Sequence, residues 1–221
     1  MEAGQVSPGG PGRAREADVA PALADPAGGR VVGWSPADPG PLGLSMFAVT
    51  TFVLSVINAH LVSPAMTPAV FGLALLAGGA VQLVAGLWEF RTGNTFGAVA
   101  FCSYAAFWGG LYILLHDSVP TIVKTEADGA IGLYLWAWTI FTVIMFIAVL
   151  RTSGALVVTF LLLLITFVLL SIGFSGASAS TIKLGGYFGI ATAAGAWYTG
   201  GAAVINSTWG RVVLPVFPLN A

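Results

Sequence analysis

The chain has 221 residues, 57% of them hydrophobic, with only eight Lys or Arg and nine Asp or Glu. A soluble domain carries about a quarter charged residues, so a charged fraction of 8% excludes an ordinary water-soluble globule. The net charge of −1 and the lack of a basic patch exclude a nucleic-acid partner, and one cysteine with two separated histidines forms no disulfide or metal-ligand pattern.

Eight of the charges lie within the first 38 residues, a tract rich in Ala, Gly and Pro without hydrophobic periodicity. Residues 1–37 therefore read as a disordered tail. No apolar core closely follows its arginines, so it is not a secretory leader. The other nine charges fall singly or in short clusters separated by apolar stretches. Six uncharged spans follow, at 42–62, 69–88, 95–115, 129–150, 155–174 and 184–205. Each matches the roughly 20 apolar residues that cross a bilayer as a helix. Runs such as Phe160-Leu161-Leu162-Leu163-Leu164-Ile165 do not alternate, which argues against a barrel. The predicted fold is all-α: a six-helix membrane domain over 38–210 and a C-terminal tail over 211–221.

Local chemistry sets the boundaries. Pro39 and Pro41 precede the first span, where a missing N–H costs nothing. Ser63-Pro64 ends that span and Thr67-Pro68 opens the next. Gly93 and Asn94 suit a cap on each side of a tight hairpin. Residues 117–128, with Pro120, read as the longest interior loop. Cationic residues favour the cytoplasmic side. Placing both termini there puts Arg13, Arg15, Arg30, Arg91, Arg151 and Arg211 inside, against Lys124 and Lys183 outside. Trp88 and Trp209 then fall near the inner interface, where aromatic anchors collect. Glycines within the spans, including Gly185 and Gly189 four residues apart, let helices approach closely in lipid.

No span has an Asp, Glu, Lys or Arg in its interior; Glu89 falls at the inner end of the second, His60 and His116 at outer ends. A relay of protons through buried carboxylates and an acid-lined cation pore both lack their residues. The spans do carry neutral hydrogen-bonding groups. Phe47, Thr50, Thr51, Leu54 and Asn58 recur at helical spacing on one face, as do Gly78, Gln82, Gly86 and Glu89. Ser103 and Tyr104 add to these in the third span. An amide in hydrocarbon needs a partner or water, so Asn58 and Gln82 are either interhelical hydrogen bonds or polar stations on a solute path. Asp38-Pro39-Gly40-Pro41-Leu42-Gly43-Leu44 places free N–H groups at the start of the first helix. A carboxylate suits such a site, although Asp38 competes for it. No nucleophile–base or metal constellation points to an enzyme, and nothing calls for a cofactor.

That heptapeptide resembles the Asn-Pro-Ala-Pro-Leu-Gly-Leu signature of the acetate uptake transporters, the succinate–acetate permease group. Three more blocks agree in order: Gly93-Asn94-Thr95-Phe96-Gly97 with Phe101, Ser103, Tyr104, Phe107 and Trp108; Gly132-Leu133-Tyr134-Leu135 with Trp138, Thr142, Met145 and Phe146; and Gly210-Arg211 with Val213-Leu214-Pro215. The resemblance spans about 38–215. It implies a six-helix protomer in the plasma membrane, often a homohexamer embedded in lipid, that carries acetate and sometimes succinate. It implies a pore narrowed by Phe47, Tyr104 and Leu163, with Ala196 influencing substrate size. The substrate path then takes in Thr50, Thr51, Asn58, Gln82, Asn94, Thr95, Ser103 and Ala196, beyond the 38–44 motif. Asp38, Gly40, Ala105 and Ala203 depart from the family pattern, which bears on substrate range and proton coupling. A neutral-solute channel, for ammonia, urea or undissociated acid, and a non-transporting membrane scaffold are the alternative readings.

Overall fold

The computed structural model describes residues 36–219. Apart from Pro36 and Ala37, the tail assigned to 1–37 lies outside them. Six helices are long and apolar enough to span a membrane: α1 (Gly40–Asn58), α2 (Pro64–Thr92), α3 (Thr95–Thr121), α4 (Lys124–Val149), α5 (Gly154–Ser175) and α6 (Ala179–Trp209). Their up-and-down course puts the start of α1, the α2–α3 and α4–α5 turns and the end of α6 on one side, here the terminal side. The α1–α2, α3–α4 and α5–α6 turns lie on the far side.

The six predicted spans are all present, with longer helices at several ends. Gly93 closes α2 with φ +78°, and Asn94 caps α3 by accepting the Gly97 N–H at 3.1 Å. Helix α2 starts earlier than predicted because Ser63 caps a 3₁₀ turn over Pro64–Val70. The long loop predicted at 117–128 is a correction. Helix α3 continues through a wide turn at Leu114–Ser118 and a 3₁₀ turn at Val119–Thr121, and α4 begins at Lys124. Pro120 falls in the first positions of that 3₁₀ turn, where it withholds no needed N–H. Lys183 likewise belongs to α6 rather than to a loop.

Around the bundle the helices follow the order α1, α6, α5, α4, α3, α2, with α1–α6, α5–α6 and α2–α3 in the broadest contact. Glycine explains the first two. A Cβ on Gly186 would run into the backbone of Ala59, and one on Gly189 into the Ser55 hydroxyl. On the other flank of α6, a Cβ on Gly185 would sit 2.8 Å from Leu170 and one on Gly195 2.7 Å from Thr159. Small residues permit this approach where lipid offers no hydrophobic drive for association.

The α3–α4 seam is looser in backbone terms and is filled by rings. Phe107 lies 5.8 Å from Tyr134 and 5.4 Å from Trp138, and the Tyr134 hydroxyl donates to the Phe107 carbonyl at 2.7 Å. Three buried threonine hydroxyls find their partners inside the bundle, where lipid supplies none. Thr139, Thr166 and Thr192 each donate to the carbonyl four residues back. Thr139 also meets Ser171 at 2.9 Å, tying α4 to α5, and Thr166 meets Thr192 at 3.3 Å, tying α5 to α6.

After α6 the chain turns back over the terminal side. The Asn206 side chain accepts the N–H groups of Val213 and Leu214 at 2.7 and 2.9 Å and donates to the Leu214 carbonyl at 2.8 Å. Residues 216–219 then pair with the α4–α5 turn through Ala155, Gly154 and Thr152.

Candidate functional site: two cavities meeting at an apolar neck

Two cavities lie within the bundle, about 270 Å³ on the far side and about 260 Å³ on the terminal side. Both are lined by Phe47 and Leu163. These side chains are 6% and 4% exposed, so the cavities abut at buried apolar groups. Tyr104, 2% exposed, lines the terminal cavity, with its ring centroid 5.8 Å from that of Phe47. Phe47, Tyr104 and Leu163 share one core cluster. The Tyr104 hydroxyl is engaged with the Thr142 hydroxyl of α4 at 3.0 Å. This hydrogen bond braces the ring against α4.

The far cavity is apolar with neutral polar groups from α1 and α5: Thr51, Ser55, Asn58 and Thr166. The Thr51 hydroxyl is buried without a hydrogen-bond partner, whereas Thr166 donates to the Leu162 carbonyl. The adjacent residue Thr50 does not line either cavity. Its hydroxyl donates to the Met46 carbonyl at 3.0 Å and reaches the Leu73 carbonyl at 3.4 Å, between α1 and α2.

The terminal cavity is more polar. Gln82 is fully buried on its wall, and neither its amide nitrogen nor its oxygen has a partner. Of the two readings left open for Gln82, the interhelical hydrogen bond is absent from the structure. Seven residues on, Glu89 is 2% exposed and lines the same cavity. The Thr92 hydroxyl donates to its carboxylate at 3.1 Å, and the Asn94 side chain bonds it as well. Two glycines make room for this carboxylate: a Cβ on Gly97 would lie 2.7 Å from it and one on Gly40 3.4 Å. Sequence reasoning left Glu89 at the margin of α2. The structure corrects this to a buried carboxylate, and the shared face of Gln82 and Glu89 was the available signal.

Of the first-helix motif, Asp38, Gly40, Pro41 and Leu44 line the terminal cavity; Pro39, Leu42 and Gly43 do not. Asp38 accepts the Gly40 N–H at 2.9 Å. The chain's own carboxylate thus takes the helix-start donor that was expected to face an external anion. Gly43 serves packing, since a Cβ there would overlap the Phe101 ring at 2.7 Å. Asn94 lines the terminal cavity, while Thr95, Ser103 and Ala196 line neither. Thr95 is exposed at the start of α3 and Ala196 is sealed in the core. Thr159, Thr199 and Asn206 join the terminal wall without having been singled out.

The model of the GPR1/FUN34/yaaH family matches residues 26–221. The chain belongs to that family. It is 40% identical over 195 residues to acetate permease A of Emericella nidulans, covering 81% of this chain and 65% of that one. It is 37% identical over 182 residues to the succinate-acetate/proton symporter SatP of Escherichia coli, covering 81% of this chain and 95% of that one. A solved structure described as the bacterial acetate channel SatP superposes with TM-score 0.75 at 35% identity, covering 82% of this chain and 99% of that chain. The chain spans about two thirds the length of its fungal relatives. As a member of the family it is a multi-pass membrane protein of six helices.

Proposed function

We propose that the chain is a membrane channel or transporter for acetate and related short carboxylates, succinate among them. The observation that carries this reading is the meeting of two cavities at Phe47 and Leu163, in a fold shared with an acetate channel. Phe47, Leu163 and Tyr104 form the constriction. A narrow apolar collar gates by dewetting, and a carboxylate crossing it needs donors on either side to replace lost hydration. Thr51 and Asn58 stand on the far side of the collar, Gln82 and Asn94 on the terminal side.

The terminal side carries Arg91, Arg151 and Arg211 at its helix ends, against Lys124 and Lys183 on the far side. Cationic bias therefore supports cytoplasmic termini in the plasma membrane. Gly72, Gly109 and Gly201, where an added Cβ would meet nothing within 4 Å, suit packing against further copies, and the family resemblance points to a hexamer.

Uptake of labelled acetate into proteoliposomes tests the proposal; equal uptake with and without protein overturns it. A second reading, permeation of neutral solutes, is favoured by the absence of charge at the neck itself. An acetate current that reverses at the acetate equilibrium potential decides against strictly neutral passage.

A further inference from the structure

Helix α1 ends in a hydrogen-bonded pattern that glycine usually completes. The Leu61 N–H reaches the Val56 carbonyl at 3.2 Å and the His60 N–H the Ile57 carbonyl at 2.9 Å. The residue past the cap in such an ending takes a left-handed backbone, normally as glycine. Here it is His60, with φ +56°. Side chains held in that region carry strain, and such positions collect at functional sites. His60 is an exposed residue and lines the far cavity. Every other lining residue there is apolar or carries a neutral hydroxyl, amide or indole group, so His60 is the one ionisable side chain on that wall among the described residues. The terminal cavity has the opposite character, with the carboxylates of Asp38 and Glu89 in its wall.

Charges on the surrounding elements stand off the cavity. Helix α6, whose Gly186 packs on Ala59, brings exposed Lys183 and Tyr187. At the end of α3, His116 pairs with Asp117 at 2.6 Å and stacks on Tyr112. Exposed Lys124, Glu126 and Asp128 begin α4, and the 3₁₀ turn Pro64–Val70 has no ionisable group. None of these lines the far cavity.

We propose that His60 is a capture site for small carboxylate anions at the far mouth, acting as its imidazolium. This rests on the carboxylate reading above. A protonated imidazole donates charge-assisted hydrogen bonds to a carboxylate, and Asn58 lines the same wall within two residues of it. The anion therefore meets a cation where the path is still wet, before the neutral neck. Capture at the mouth governs apparent affinity, not the rate through the neck. It is lost when the ring is neutral.

The test is His60→Asn. Asparagine tolerates the left-handed backbone, so the helix ending is kept while the charge is lost. Acetate uptake is measured in proteoliposomes with the His60 face outward. At about pH 5 the variant should show an apparent KM about three-fold above wild type, as expected for one solvent-screened charge. At about pH 8 KM should match, and the maximal rate should match throughout. Raising salt should erase the difference. In parallel, the imidazole resonance of His60 in the full-length protein should shift saturably with acetate and not with neutral acetamide. A variant KM that follows wild type at both pH values, or an imidazole that responds alike to acetate and acetamide, overturns the proposal. A wild-type protein without saturable acetate uptake removes the functional reading, and the imidazole titration then decides the capture site by itself.

Discussion

The hydroxyl of Tyr104 lies 3.0 Å from that of Thr142, joining α3 to α4 at the depth where the two cavities abut. The Tyr104 ring is further held by Phe141 at 5.5 Å and by Phe167, stacked at 6.5 Å. Its phenol is therefore a brace, and its ring lines the terminal cavity beside Phe47. Tyr104→Phe should keep acetate uptake and cost about 0.5–1.5 kcal/mol of stability, the net worth of one hydrogen bond. Thermal unfolding in detergent, read beside uptake, checks both halves; abolished uptake in a folded variant would mean the hydroxyl meets the solute.

Truncating the neck should trade stability for a wider passage. Leu163→Ala removes a buried side chain and should cost about 2–5 kcal/mol. Phe47→Ala acts on the opposite wall of the same neck. Each variant should raise the ratio of succinate to acetate flux. An unchanged ratio in both would remove Phe47 and Leu163 from the selectivity-setting position.

Glycines on the two faces of the bundle should respond oppositely to alanine. At Gly186 the new methyl meets the Ala59 backbone, which has no flexible end to yield, so Gly186→Ala should prevent α1 and α6 from seating and lower the yield of folded protein. Gly109 meets nothing within 4 Å, and Gly109→Ala should leave the fold intact or gain about 0.5–1 kcal/mol from reduced backbone entropy. Size-exclusion profiles and melting temperatures of the pair supply the comparison. Equal tolerance would show that the α1–α6 approach is not set by glycine.

The returning C-terminal segment depends on one side chain. Asn206→Ala deletes three hydrogen bonds to Val213 and Leu214, each worth about 1 kcal/mol net. Tryptic cleavage after Arg211 should then accelerate while the bundle keeps its helix content. An unchanged cleavage rate would mean that the pairing of residues 216–219 with the α4–α5 turn holds the segment without Asn206.

How much of this was readable beforehand follows from which forces act locally. The six spans were legible because bilayer thickness prints itself as the spacing of charges. The Gly93 and Asn94 caps were legible because backbone geometry at a tight turn admits few residues. The grouping of Phe47, Tyr104 and Leu163 came from family resemblance, since nothing in spacing along three separate helices says that they meet. Thr50 and Thr51 shared one predicted stripe and part company because neighbouring residues on a helix point about 100° apart. Which of them faces the cavity depends on where α2 packs. Glu89 looked peripheral because its burial is created by Gly40 and Gly97, residues on two other helices. Residues 117–128 look like a loop by charge and proline, yet all but Ile122 and Val123 lie in helical turns.

Helix α2 is not α-helical throughout: a π turn occupies Leu76–Val81, where a Cβ on Gly79 would lie 2.7 Å from the Ala74 carbonyl oxygen. Such a turn amounts to one surplus residue in the winding. Everything after it is phased by that surplus, including the unpartnered amide of Gln82 and the sheltered acid of Glu89. Excising a single residue here would restore regular winding and swing both groups about 100° around the axis, off the wall of the terminal cavity. The placement of two polar groups on separate turns is thus stored in one local irregularity, which a point deletion, unlike any substitution at either residue, would erase for both at once.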